Sequence, residues 1–139
     1  MENSNPVSSR TGTALLIIDV QQGLFQKSTP IYKAKELLQN IKTLVGKARR
    51  ADVPVFYIQH SNDSFLLEGT DGWRLHPRLS PEERDAFVQK KHGNAFEDTL
   101  LEAQLKAKNV GVLVITGLVT NGCVRATCLG AHQLGYQVI

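Results

Sequence analysis

The chain alternates short apolar runs with longer segments whose apolar residues recur every three or four positions. The apolar runs lie at residues 14–20, 54–58, 85–89, 110–116 and 136–139 and predict five strands. The first of them, Ala14–Val20, is continuously apolar apart from Asp19 near its end. An uninterrupted run of this length is typical of a strand covered on both faces of a parallel sheet.

Helical periodicity separates these runs. Residues 31–51 place Leu38, Ile41 and Val45 on one face and predict an amphipathic helix. Further helices are predicted at 99–108 and 123–134, the second of which Gly135 would end. Strands that alternate with helices predict an α/β fold with a parallel sheet and right-handed crossovers.

The remaining segments divide the chain. Residues 1–12 are polar and predict a flexible lead-in, which leaves 13–139 as one domain. Residues 59–84 contain two prolines and two glycines and predict a long loop, of the kind that is usually functional or disordered.

Composition narrows the class of protein. The net charge is +3 and the basic residues are scattered, the densest run being Lys47–Arg50 at a predicted helix end. Such a pattern is that of a solvated helix end and does not favour nucleic-acid binding. The apolar runs are too short to cross a membrane, and the N-terminus lacks the apolar segment of a signal peptide. Two cysteines five positions apart on one predicted helix suit reduced thiols, which predicts a cytoplasmic protein.

Three chemically capable residues lie at the carboxyl ends of predicted strands. Asp19 ends the first strand, Lys90 ends the third, and Cys123 follows the fourth. Because ligands of open α/β sheets bind beyond those ends, the sheet is expected to bring the three side chains together.

The chemistry of this set is that of acyl transfer. A helix N-terminus lowers a thiol pKa, a carboxylate can take the thiol proton, and a nearby ammonium favours the thiolate. Backbone amides at the turn between Val119 and Cys123 could hold an oxyanion. Each residue alone has a simpler interpretation: Asp19 as a turn cap, Lys90 as a solvated charge, and Cys123 as a small buried apolar residue.

Three motifs, in order, carry a resemblance to a known family. They are Leu15–Gln21, Lys90–Thr99 and Gly117–Thr127. With them the chain resembles the isochorismatase-like cysteine hydrolase superfamily, which includes nicotinamidases and N-carbamoylsarcosine amidohydrolase-like enzymes. The similarity extends from about Ala14 to Ile139.

The resemblance implies a Cys-Asp-Lys triad of Cys123, Asp19 and Lys90, with Lys91 as an adjacent competitor for the lysine role. It also implies a cis peptide bond between Leu118 and Val119, and an oxyanion hole formed by the amides of Val119 and Cys123.

For the fold, the resemblance implies a three-layer αβα arrangement around a Rossmann-like sheet with strand order 3-2-1-4-5-6. The sixth strand and a closing helix are missing from this sequence, so the domain is expected to be truncated at its C-terminus. A homo-oligomer is also expected.

Further candidate positions come from the predicted loops. Gln21, Phe25, His60, Trp73 and His76 lie on predicted loops that should reach the mouth of a substrate pocket. Nicotinamidases of the superfamily carry an Asp-x-His metal motif after the second strand, whereas this chain has Gln59–Asp63 there. A metal set of His60, Asp63 and His76 fits no common zinc spacing, so neither a metal nor another cofactor is expected.

The sequence therefore predicts a cysteine-dependent hydrolase of a small amide or related C–N bond, acting on a small molecule through a thioester. Two alternatives stay open. One is hydrolysis of an isochorismate-like vinyl ether by Asp19 without the thiol, and the other is a catalytically silent α/β binding scaffold. No nucleic-acid or membrane partner is expected.

Overall fold

A computed structural model describes residues 6–139 and, at Thr120 and Asn121, the backbone alone. Its strands are β1 (Gly12–Ile18), β2 (Val55–His60), β3 (Ala86–Lys90), β4 (Val110–Gly117) and β5 (Gln137–Val138). Its helices are α1 (Gln22–Phe25), α2 (Ala34–Arg50), α3 (Leu101–Ala107) and α4 (Arg125–Gln133). A 3₁₀ turn at Val7–Ser9 precedes β1, and a π-helical turn at Thr120–Val124 precedes α4.

The strands form one parallel sheet in the order β3-β2-β1-β4-β5. This confirms the predicted α/β fold, and the order agrees with the first five strands that the resemblance implies. The register aligns Ile18 with Ile58 and Gly117, and His60 with Lys90. The carboxyl ends of four strands therefore meet along one edge of the sheet.

Helices cover both faces of the sheet. On one face, Leu15 and Ile17 of β1 pack with the apolar side of α2, represented by Ile41. On the other face, Leu16 and Ile18 pack with residues of α3 and α4. Successive residues of β1 thus enter opposite cores, which explains why the strand is apolar throughout. The arrangement is a three-layer αβα fold.

Several boundaries differ from those that the sequence predicts. The short helix α1 lies where a loop was expected, and α2 begins at Ala34 rather than residue 31. The strand β2 continues to His60, two residues beyond the predicted end, because parallel pairing with β3 extends that far. The last long helix starts at Arg125, since a π-helical turn occupies the positions around Cys123.

The predicted flexible lead-in needs correction for the part that the structure describes; residues 1–5 lie outside it. Val7–Ser9 form a 3₁₀ turn, and Arg10 is buried, with its guanidinium donating to the Tyr136 hydroxyl at 3.0 Å. Arg10 also pairs with Glu102 of α3 at 3.5 Å. A composition-based prediction missed these contacts because their partners lie about a hundred residues away along the chain. Among residues 6–139, no helix is both long and apolar enough to cross a bilayer.

Gly117, at the end of β4, lies very close to the backbone of Ile18 at the end of β1. Its φ is +128°, and a Cβ built there would lie 2.0 Å from the carbonyl oxygen of Ile18. Only glycine suits this conformation and this contact. The residue therefore fixes where β4 ends and the turn towards Cys123 begins.

We expect Gly117→Ala to lower the free energy of unfolding more than Gly69→Ala does. Both glycines have positive φ, but a Cβ at Gly69 would meet no atom within 4 Å. Gly69→Ala should cost about 1 kcal/mol from backbone conformation, and Gly117→Ala a further ~1–3 kcal/mol from overpacking. Urea unfolding of both variants measures the difference; equal losses would show that the contact with Ile18 is relieved without cost.

Candidate active site

Asp19 follows β1 directly and is 3% exposed. Its backbone φ is 57°, a left-handed conformation that Asp adopts more readily than most residues. The Asp19 N–H donates to the carbonyl of Ile58 on β2 at 2.9 Å, which fixes the residue at the sheet edge. The carboxyl group is thus held at the end of the central strand.

Lys90 ends β3 and is 2% exposed, an unusual position for a lysine. Its Nζ lies 3.4 Å from Asp19 Oδ2, 3.1 Å from His60 Nδ1 and 3.1 Å from the carbonyl oxygen of His92. These partners come from the ends of three strands. The structure therefore brings Asp19 and Lys90 together although 71 positions separate them.

Cys123 lies in the π-helical turn between β4 and α4 and is half-buried. Ligand atoms of Asp19, His60 and Cys123 all lie within 4.8 Å of one another. The three predicted catalytic side chains, with His60, thus form one cluster, which we call the Asp19 cluster.

The helix behind Cys123 is tied to the loop that follows Lys90. The Thr127 hydroxyl accepts from the Ala95 N–H at 3.0 Å and donates to the carbonyl of Gly93 at 3.3 Å. Sequence reasoning missed this link, although both partners lie inside the motifs that carried the family resemblance. The link holds the Cys123 turn beside the end of β3.

Burial dominates the electrostatics of the carboxyl and the thiol. It raises the pKa of Asp19 above its usual value, and the Lys90 ammonium partly opposes that rise. The pKa of Cys123 is also raised, first by burial and then by the Asp19 charge, with Lys90 opposing. The thiol pKa therefore differs from the lowered value that the sequence predicts, because burial and the Asp19 charge outweigh the Lys90 ammonium.

One oxygen of Asp19 is left for the thiol. Oδ2 faces Lys90, whereas Oδ1 is buried and has no hydrogen-bonding nitrogen or oxygen partner within the described part of the chain. The Cys123 thiol interacts with the same carboxyl group. A neutral thiol next to an open carboxylate position is arranged for proton transfer between them.

The turn before Cys123 contains a cis peptide bond between Leu118 and Val119. Leu118 is buried, and its N–H donates to the carbonyl of Ile18 at 2.8 Å. Val119 is 51% exposed, so the turn reaches the surface beside the cluster. That the amides of Val119 and Cys123 bind an oxyanion stays a prediction.

The five residues predicted to line a pocket mouth lie in different surroundings. His60 belongs to the Asp19 cluster, and Phe25 packs edge-on against His76, with ring centroids 4.6 Å apart. Gln21 is fully buried and bonds to the backbone of both His60 and Trp73, so its amide is occupied by the protein itself. Sequence reasoning placed His60 on a loop because it ended β2 two residues early.

A cavity lies beside the turn that precedes Cys123, and the five predicted residues are not among those that line it. Its volume is ≈ 700 Å³, and its walls come from the end of α1, the loop to α2 and the Gly117–Val119 turn. Leu24, Ile31, Leu37 and Val119 give it apolar surface. A small organic group fits such a space.

Among the side chains that the structure describes, two groups have the composition of metal ligands. Asp19, His60 and Cys123 converge, but the Lys90 ammonium already lies against Asp19 and His60 and competes with any cation. His92, Glu97 and Asp98 form a second group, in which all three residues are exposed. In the described part of the chain, His60, Asp63 and His76 do not converge into a metal site.

Comparison with known proteins decides the family. The model of the isochorismatase domain matches residues 13–139. The chain belongs to the isochorismatase family. A crystal structure of an isochorismatase family protein is 32% identical and superposes with a TM-score of 0.88, covering 93% of this chain and 77% of that one.

Several curated relatives of this isochorismatase-family chain have names that state an activity. Streptothricin hydrolase of Streptomyces noursei is 32% identical over 91% of this chain and 46% of its own length. Nicotinamidase 3 of Arabidopsis thaliana is 28% identical over 90% of this chain and 68% of its own length. The chain thus spans less than half the length of the streptothricin hydrolase.

Asp19→Asn should lower the pKa of Cys123, because the Asp19 charge disfavours the thiolate. We expect iodoacetamide to alkylate Cys123 about tenfold faster at neutral pH, which corresponds to about one unit of thiol pKa. Trypsin cleavage after Arg125 separates Cys123 from Cys128, so mass spectrometry reads both rates in one sample. Cys128 is the internal control and should not change; slower alkylation of Cys123 would contradict the electrostatic account.

Proposed function

We propose that this protein is a cysteine-dependent hydrolase that cleaves the C–N bond of a small amide through a thioester on Cys123. The observation that carries the proposal is the buried Asp19 carboxyl group, which contacts the Lys90 ammonium and converges with the half-buried Cys123 thiol in the Asp19 cluster. Relatives named streptothricin hydrolase and nicotinamidase support this class of reaction.

The first half of the reaction forms the thioester. The Asp19 carboxylate takes the proton of the Cys123 thiol while sulfur attacks the substrate carbonyl carbon. The negative charge then moves to the carbonyl oxygen, where the amides of Val119 and Cys123 donate hydrogen bonds. Asp19 returns its proton to the departing nitrogen, the C–N bond breaks, and ammonia or an amine leaves.

The second half releases the acid. A water molecule gives a proton to Asp19 and attacks the thioester carbon. When the tetrahedral intermediate collapses, the C–S bond breaks and the sulfur regains the proton from Asp19. The free carboxylic acid and the neutral thiol are restored, so the cycle consumes one water for each amide.

Burial suits Asp19 to this double role. A raised pKa makes the carboxylate a better base than a solvated aspartate. It also lets the protonated carboxyl keep its proton until the leaving nitrogen accepts it. Lys90 supplies a fixed positive charge that partly offsets the effect of burial on the carboxylate and favours the thiolate of Cys123. The lysine acts as an electrostatic partner and carries no proton in the cycle.

The cavity beside Val119 supports a small substrate with an apolar part. It adjoins the turn whose amides would hold the oxyanion, so a carbonyl bound at Cys123 could extend its organic group into that space. Apolar walls with a few polar groups are typical of small-molecule sites.

Cys123→Ala should abolish hydrolysis of small primary amides, with nicotinamide included in the panel. The matched control is Cys128→Ala, which removes the other thiol, on α4, and should retain activity within about twofold. Ammonia release measures both. Activity that survives in Cys123→Ala would exclude the thioester route.

Hydrolysis of a vinyl ether is a second candidate, which the raised pKa of Asp19 favours because that reaction needs a carboxylic acid as proton donor. The same variants separate the two reactions. Cys123→Ala would be harmless to vinyl ether cleavage, whereas Asp19→Asn would abolish either activity. A protein inactive on both substrate types would instead fit a binding scaffold.

Leu24→Trp tests whether the cavity receives the substrate. The indole would fill part of the space next to Val119 without touching the Asp19 cluster. We expect KM to rise about tenfold or more, the effect of losing roughly 1.4 kcal/mol of binding, while kcat changes less. Steady-state kinetics on the best amide measure the split; an unchanged KM would place the substrate elsewhere.

A further inference from the structure

The Lys90 ammonium has as many acceptors as it has hydrogens. A protonated lysine carries three N–H donors and no lone pair. Its three neighbours are Asp19 Oδ2, the carbonyl oxygen of His92 and Nδ1 of His60. The His92 carbonyl oxygen always accepts, and the Asp19 oxygen accepts when the carboxyl is ionised. The third N–H of Lys90 therefore points to the histidine.

Nδ1 of His60 can accept this hydrogen only if it bears no proton. The neutral ring must then carry its proton on Nε2, since a neutral imidazole has one donor and one acceptor nitrogen. The distance between Lys90 Nζ and His60 Nδ1 is 3.1 Å, within hydrogen-bond range. The geometry thus selects one of the two tautomers.

His60 is itself held in place. It pairs with Lys90 in the parallel register of β2 and β3, so the two side chains are direct neighbours on adjacent strands. The amide of Gln21 accepts from the His60 N–H at 2.9 Å and donates to the His60 carbonyl at 2.9 Å. Gln21 therefore binds both the N–H and the carbonyl of His60 and fixes the backbone that carries the imidazole.

We propose that His60, neutral and protonated on Nε2, is a positioning residue that orients the Lys90 ammonium towards Asp19. The inference rests on the proposed function, because there the Lys90 ammonium acts on Asp19 and Cys123 during catalysis. The orientation of the ammonium itself can be measured without a substrate.

The electrostatic surroundings keep the imidazole neutral. Burial lowers the pKa of His60, and the Lys90 ammonium lowers it further, with a smaller contribution from His92. The Asp19 carboxylate opposes these effects, and the Cys123 thiol faces the same space. A lowered pKa means that His60 stays uncharged at neutral pH and accepts a proton only in more acid solution.

Three His60 variants test the role through the reactivity of Cys123. His60→Asn keeps an oxygen near the position of Nδ1, whereas His60→Ala removes the acceptor. His60→Gln is of comparable size but places its amide one carbon further out. The readout is the rate of Cys123 alkylation by iodoacetamide at neutral pH, taken from the tryptic peptide that ends at Arg125, with Cys128 as internal control.

We expect His60→Ala and His60→Gln to slow alkylation about tenfold, because a misdirected ammonium no longer supports the thiolate and one unit of thiol pKa is a factor of ten. In His60→Asn, the rate of Cys123 alkylation should stay within about twofold of the rate in the unsubstituted protein. Equal loss in all three variants would show that the ring matters for packing alone, and no loss in any would show that Lys90 needs no such partner. Either result overturns the proposal.

A second measurement tests the proposal even if His60→Ala or His60→Gln does not fold. Nitrogen chemical shifts of the imidazole, assigned by their loss in His60→Asn, should show an unprotonated Nδ1 and a pKa below the usual value. In Lys90→Met the pKa should rise towards its usual range and the tautomer preference should weaken. A protonated Nδ1 in the unsubstituted protein contradicts the proposal. If these shifts appear but no amide is hydrolysed, the proposed function fails alone.

Discussion

The pair formed by the Lys90 ammonium and the Asp19 carboxyl is the constraint on which the rest of the site depends. Both side chains are almost completely buried, at 0% and 4% side-chain exposure, where an isolated charge is costly. That cost is offset because the ammonium has three hydrogen-bond acceptors. They lie at or just after the ends of three different strands: Asp19 after β1, His60 on β2 and His92 after β3. A parallel sheet in the order β3-β2-β1-β4 is what places those ends side by side.

The same pair sets the state of the nucleophile. The ammonium favours a thiolate on Cys123, whereas burial and the carboxylate disfavour it, and the balance raises the thiol pKa. A resting thiol with a base beside it differs from a permanently ionised cysteine, because the sulfur becomes reactive only as its proton leaves. Such a cysteine loses little to adventitious alkylation or oxidation, which act on the thiolate. It suits an enzyme in which one carboxyl group both takes and returns the proton.

The strand pattern and the three motifs predicted the fold and the main candidates because both depend on local signals. Continuous apolar runs mark central strands, and the pattern locates the ends of β1, β3 and β4 within a residue or two. Asp19 and Lys90 stand at two of those ends, and Cys123 lies in the turn that follows the third. His60 was harder to place, because the last two residues of β2 are polar and their strand character comes only from pairing with β3. Arg10 bonds to Tyr136, and Gln21 bonds to the backbone of His60. Periodicity cannot reveal these hydrogen bonds, because the partners lie far apart along the chain. The direction of the thiol pKa shift was mispredicted for a related reason, since it depends on how deeply the folded chain buries Cys123 next to Asp19.

The most direct test of the account is whether an acyl group appears on Cys123 during turnover. With an activated ester of the acyl group of the best amide, acylation should outrun deacylation, so the intermediate accumulates. Mass spectrometry of acid-quenched samples should then show the acyl adduct on the tryptic peptide that contains Cys123, and none on the peptide that contains Cys128. Samples that are forming the acid while Cys123 stays unmodified would contradict the account.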